Sequence, residues 1–161
     1  MNLLLKKLMF LILVTILSGC CTWCGRKEYN EAKAKMAELC AKDGGVTVFE
    51  TVQLAPGEKF NEEGYPPMYR HFESENALGQ DYLVSYHTED IFQFNGGMIK
   101  VYKASIHILQ KKSSHVLGQV ILYGLVDKYA VEGTGSGRTY PCPEDGLNTK
   151  KLYRQIFIET N

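Results

Sequence analysis

Cysteine and histidine are the side chains here best suited to nucleophilic, redox or metal chemistry, and their spacing bounds what they can do. The chain carries five cysteines, at positions 20, 21, 24, 40 and 142, and four histidines, His71, His87, His107 and His115. No histidine stands at metal-ligand spacing from another histidine or from a cysteine. Each is therefore expected to be a solvated or hydrogen-bonded imidazole. Cys21-Thr22-Trp23-Cys24 has the CxxC spacing of a redox dithiol or of half a zinc site. A redox dithiol of that kind follows a strand in a βαβ unit, whereas this one follows an apolar N-terminal run. A zinc site needs a second ligand pair, and no later CxxC or HxxxH supplies one. No metal and no cofactor is expected, and Cys21 and Cys24 read as a tether pair, bridged locally or free.

Other candidate chemistry fails on context. Gly133-Thr134-Gly135-Ser136-Gly137-Arg138 has the look of a phosphate loop, but such a loop opens a helix. Here Pro141 and Pro143 follow within a turn or two, and proline interrupts a helix. A backbone nest beside Arg138 remains as an anion-holding arrangement. No G-x-S-x-G is present, so there is no nucleophile elbow and no catalytic residue is assigned. The adjacent carboxylates Glu62-Glu63, Glu89-Asp90 and Glu144-Asp145 read as solvated pairs in polar segments. Ten Tyr and seven Phe supply many aromatic rings. Tyr65, Tyr69, Tyr82, Tyr86 and Tyr102 either line a partner surface or fill the faces of a sheet.

The N-terminus carries the most specific signal. Lys6 and Lys7 precede an apolar run at 8–17 that contains no charge. That run is short of the roughly 20 apolar residues that span a bilayer and has the form of a secretory signal peptide. It ends in Leu17-Ser18-Gly19-Cys20. This ending resembles the lipobox of bacterial lipoproteins: a branched apolar residue, two small residues and a cysteine. All four positions match. The resemblance implies a diacylglyceryl thioether on Cys20, whose thiolate is the needed nucleophile. It further implies removal of residues 1–19 and acylation of the freed amine. Each buried CH₂ contributes roughly 0.8 kcal/mol, so two or more acyl chains anchor a protein stably. Position 21 is not Asp, which in enterobacterial lipoproteins resembles sorting to the outer membrane, with the body on the periplasmic face. The expected organisation is a signal peptide at 1–19, a lipidated tether at 20–27 and one domain at 28–161.

With Cys20 lipidated, four cysteines remain in an oxidising compartment, which favours disulfides. Residues 28–43 lack Gly and Pro, and Tyr29, Ala32, Met36, Leu39 and Cys40 share one helical face. Cys24 to Cys40 along such a helix is roughly 24 Å at about 1.5 Å per residue. A disulfide needs Cα atoms within about 7 Å, and Cys21 is hardly better placed. If Cys40 is bridged within the chain, its partner is Cys142.

After a stop at Gly44-Gly45 the apolar period becomes two. Val46, Val48, Val52 and Leu54 share one face of a strand at 46–54, interrupted by Glu50, which reads as a bulge or an edge position. A loop is expected at 55–67, with weaker strands at 68–74 and 82–87. A stronger strand at 98–110 puts Tyr102, Ala104, Ile106 and Ile108 on one face and Val101, Lys103, Ser105 and His107 on the other. A turn at 111–115 makes a hairpin with an uncharged strand at 116–126. Residues 127–150 read as loop, and 152–158 as a last strand. The fold class is α+β: one N-terminal helix on an antiparallel sheet of about five or six strands. The helix ending in Cys40 and the later Pro141-Cys142-Pro143 loosely resemble small, uncharacterised envelope lipoproteins of Gram-negative bacteria, a likeness that implies no activity.

Lys+Arg and Asp+Glu are both 18, so the chain is formally neutral, and loss of Lys6 and Lys7 takes it to −2. Nucleic acid is not an expected partner, since phosphate binding needs a basic surplus. The membrane, through lipid on Cys20, is the expected partner, with an envelope protein as a further one. The leading reading is a non-enzymatic binding or structural component of the envelope. The alternatives are a wall- or lipid-acting enzyme and an inhibitor of a wall-degrading enzyme that presents the loop at 133–143.

Overall fold

Helix α1 covers residues 26–43 of the computed structural model, which describes residues 26–70, 76–128 and 138–160. The lipobox, Cys21, Cys24, His71 and the glycine-rich 133–137 lie outside those residues. The α1 stripe is buried as its spacing requires: Ala32 and Met36 are enclosed, with Tyr29, Leu39 and Cys40 packed beside them. The Gly44 amide donates to the Cys40 carbonyl at 2.8 Å, and Gly45 turns the chain out with φ 97°.

Among the described residues seven strands and a second α-helix follow: β1 (Gly45–Val48), β2 (Val52–Gln53), β3 (Tyr82–Phe94), β4 (Ile99–Gln110), β5 (His115–Asp127), β6 (Arg138–Cys142), α2 (Thr149–Ile156) and β7 (Phe157–Ile158). The main sheet is antiparallel with five strands in the order β1-β5-β4-β3, and β6 pairs β5 beside β1. β2 and β7 form a small parallel pair. The protein is therefore α+β, with the N-terminal helix packed on the sheet and a C-terminal helix added.

Register explains the layers, because opposed residues in an antiparallel pair share a face. On one face the cross-strand row Phe92–Val101–Leu125–Tyr140 meets the α1 stripe. On the other, the row Val84–Ile108–Gly118–Val48 meets Leu152 and Ile156 of α2. The two cores thus lie on opposite faces and near opposite ends of the sheet.

Four expectations are corrected. The segment expected as a strand at 152–158 is α2 followed by the short β7. A strand would have put Arg154 on the same face as Leu152 and Ile156, whereas the helix buries Thr149, Leu152, Tyr153 and Ile156 and leaves Arg154 outside. Asn148 caps α2, its Oδ1 accepting from the Lys151 amide at 2.9 Å. The expected loop at 127–150 contains β6, an edge strand, where Pro141 is tolerated. The strand expected at 46–54 splits at Phe49 and Glu50, whose amides both donate to the Leu117 carbonyl (2.8 and 3.0 Å) and end the ladder. Residues 66–69 form a turn closed by the Tyr69 amide donating to the Pro66 carbonyl at 2.9 Å, and 69–70 are not strand; 71–75 lie outside the described residues.

Cys40 and Cys142 are joined by a disulfide, with Cα atoms 6.0 Å apart across a sequence separation of 102. In the chain-entropy account, closing a loop of about 100 residues contributes up to roughly 4.7 kcal/mol, less any native strain. Cys40→Ser or Cys142→Ser should each lower the unfolding free energy by several kcal/mol. The double change should cost little more than either single one, and urea denaturation of all three variants checks this. Gly118 gives an independent packing test. A Cβ there would sit 2.9 Å from both Ile156 Cδ1 and the Thr47 carbonyl oxygen, and the carbonyl belongs to backbone that cannot move aside cheaply. Gly118→Ala should cost about 1–3 kcal/mol through overpacking, measured in the same denaturation series.

Candidate functional site

Two neighbouring regions of the α1 face gather the residues singled out from the sequence. The first is the corner where α1, β5 and β6 meet. β6 places Cys142 opposite Tyr123 of β5, and the disulfide holds the last turn of α1 there. Asp43, the last residue of α1, accepts a hydrogen bond from the Tyr123 hydroxyl at 2.8 Å. Gly44 is required beside them, because a Cβ would lie 2.6 Å from the Cys40 carbonyl oxygen and 2.8 Å from its sulfur. Burial, with the Asp43 carboxylate second, holds the Tyr123 phenol neutral and pushes its pKa up to about 12. Tyr29 packs edge-on against Tyr140 with ring centroids 6.0 Å apart, and its pKa is raised chiefly by burial.

The second region is the polar part of the same face. Beyond the apolar rows come Glu89–Lys103–Tyr123, then His87–Ser105–Ile121, then Ser85–His107–Gln119–Thr47, each a cross-strand row. His107 Nε2 lies 3.1 Å from Gln119 Oε1, and Lys103 Nζ lies 3.8 Å from Glu89 Oε1. Ser105 is buried within this surface, while His87 is exposed. The arrangement offers imidazole, hydroxyl, amide and ammonium groups on rigid strands, which suits hydrogen-bonded recognition.

The other candidates are dispersed. His115 Nε2 lies 3.0 Å from Glu50 Oε2, so the carboxylate that breaks the β1 pattern is an exposed polar partner of the imidazole. Asp90 takes Lys100 at 3.0 Å and Asp145 takes Lys151 at 4.0 Å, while Glu62 and Glu63 are exposed. Of the segment at 133–143, only 138–143 is described, and Arg138 is exposed there. The tyrosines divide. Tyr65 and Tyr69 stack at 4.0 Å and tilt against buried Tyr153; Tyr82 packs edge-on against Phe157 at 5.1 Å. Tyr102 lies across Gly124, and Tyr86 is 62% exposed. Sequence reasoning missed Asp43 and Tyr123. They are 80 residues apart, and no local pattern links them. It also ended β3 at His87, because Glu89-Asp90 resembled a loop; the ladder with β4 continues through both residues, whose exposed carboxylates meet Lys103 and Lys100 of β4. Among the described residues no group of three or more His, Cys, Asp or Glu is placed to hold a metal ion.

Tyr123 predicts an alkaline transition. The folded state keeps this phenol neutral to about 12, while an unfolded tyrosine ionises near its ordinary value of 10.0. Its contribution is fully present below pH 10 and is lost as pH rises from about 10 to about 12. Tyr153, which burial also shifts upward, adds to the loss. Tyr123→Phe should remove one hydrogen bond, costing about 1 kcal/mol near neutrality, and should flatten the fall in unfolding midpoint above pH 10. Thermal unfolding followed by circular dichroism at stepped pH measures both effects.

Comparison with protein families, with curated proteins and with solved structures finds no match to this chain.

Proposed function

We propose that this chain is a lipoprotein of the Gram-negative envelope, anchored at the outer membrane through acyl chains on Cys20 with its domain in the periplasm. It acts as a binding or structural component rather than as an enzyme. The observation that carries the anchor is Leu17-Ser18-Gly19-Cys20 at the end of an uncharged apolar run that follows Lys6 and Lys7. One feature supports it: the disulfide between Cys40 and Cys142 is chemistry of an oxidising compartment. Among the described residues no helix is long and apolar enough to cross a membrane. The binding role draws support from the polar side chains of His87, Ser105 and His107, which sit on paired strands at the border of the α1 core.

Cys20→Ala should leave unprocessed precursor and abolish recovery of an acylated mature chain from membranes. Intact-mass spectrometry and membrane fractionation read the two outcomes. A mature protein beginning anywhere other than an acylated Cys20 would refute the anchor.

A further inference from the structure

β3 is 13 residues long and hydrogen-bonded to β4 along its inner edge, and among the described residues no strand pairs its outer edge. Alternate residues of an edge strand turn their amide and carbonyl groups outward, a ready template for another strand. The run 86–91 is continuously exposed, and two of the three exposed large apolar side chains among the described residues, Tyr86 and Ile91, lie in it. The ladder with β4 shifts at Ile91, between Asp90 and Phe92, which closes the regular run at that end.

We propose that a second copy of this chain pairs antiparallel along the outer edge of β3, with Thr88 on the two-fold axis, so that the two sheets become one. The sequence around Thr88 is self-complementary. In a two-fold antiparallel pair, residues equidistant from the axis face each other and must share a sheet face. Centring on Thr88 sets His87 opposite Glu89 of the second copy and Tyr86 opposite its Asp90, each twice. It also sets Thr88 against Thr88, a favoured cross-strand pair. Centring on Glu89 would oppose two carboxylates, and centring on His87 would oppose two imidazoles. Lys103 and Lys100 stand behind Glu89 and Asp90 at 3.8 and 3.0 Å and offset their charge from the inner side. The His87 and Tyr86 side chains make no hydrogen bond or ion pair among the described residues and are free to meet the second copy. The pairing spans about five residues, an ordinary strand length, so the interface is small and the association weak. The inference stands on the geometry of β3 and is independent of the lipid on Cys20.

The test uses the full chain purified in mild detergent. Thr88→Cys places a thiol on the axis. There opposed Cα atoms come within about 4.5–5.5 Å, inside disulfide range, so non-reducing electrophoresis should show a dimer that the parent chain does not form. Ser85→Cys, on the same strand but roughly 20 Å from its symmetry mate at about 3.3 Å per residue, should not form it. In sedimentation from about 10 μM to about 1 mM, the parent should dimerise reversibly. His87→Glu, which opposes like charges twice, should weaken the dimer at least about tenfold. Adding Glu89→Lys to that variant should restore it. All four positions are exposed or half-buried, and an unchanged circular dichroism spectrum checks the fold. A chain that stays monomeric up to about 1 mM overturns the proposal. So does a dimer that His87→Glu leaves unchanged, or one that crosslinks equally from Ser85→Cys.

Discussion

β5 is loaded on all four sides, and the rest of the structure depends on its meeting those demands at once. β4 pairs it along one edge, and β1 and β6 share the other, β1 over Gly118–Ile121 and β6 over Tyr123–Asp127. Its two faces alternate between cores: Val120 belongs to the α2 core, while Ile121, Tyr123 and Leu125 belong to the α1 core. A strand buried on both faces cannot carry charge in its middle, and from Val116 to Val126 it carries none. Gly118 and Gly124 serve close approach: the first admits α2 and the second admits the Tyr102 ring. A side chain at either position would push a neighbour away from the strand.

Because the two helices cover opposite ends of opposite faces, each stabilises only part of the sheet. The α1 end is held by more than apolar contact. The disulfide, the Asp43–Tyr123 hydrogen bond and the tight turn at Gly44 converge on one corner, where β6 is only five residues long and sits at an edge. A strand that short, with Pro141 within it, has few ladder bonds of its own. Fixing Cys142 to the helix end holds β6 in register beside Tyr123. The α2 end relies on packing: Leu152, Tyr153, Ile156 and Phe157 are all almost fully enclosed. Two mechanisms therefore hold the two cores, one covalent and local, the other apolar and distributed.

The central hairpin was legible from sequence because β4 and β5 alternate cleanly over more than ten residues, with a polar turn between them. Helix α1 was legible from its stripe and its glycine stop. The α2 segment misled because 152, 154, 156 and 158 also alternate; Asn148 and the spacing of Leu152, Tyr153 and Ile156 were the better signals, a cap and a helical face free of charge. β6 and the outer half of β3 were illegible for another reason. Edge strands expose polar and charged residues, so their composition imitates loops. Of the candidate site, the grouping of Lys103, Ser105 and His107 followed from alternation alone. Their neighbours Ser85, His87, Gln119 and Thr47 depend on strand register, which no single segment encodes.

The lipid anchor and the open β3 edge bear on each other through concentration. If Cys20 carries the acyl chains, only five residues separate it from the first described residue of α1, and the six residue steps between them reach at most about 20 Å. The domain would then stay close to the bilayer instead of sampling the whole periplasm. Confinement of that kind raises the effective concentration of neighbouring copies without adding any contact. An interface of about five paired residues, too small to hold two freely diffusing molecules at high dilution, gains most from it. The charges Glu89 and Asp90 and the irregularity at Ile91 fit the same picture: they are devices that blunt an edge against indiscriminate pairing. They leave one short register in which the His87 imidazole and the Tyr86 hydroxyl, both able to donate a hydrogen bond, meet carboxylates. An edge blunted in this way rejects most strands and accepts a matched one, and on a membrane surface the most frequent matched strand is that of an identical neighbour.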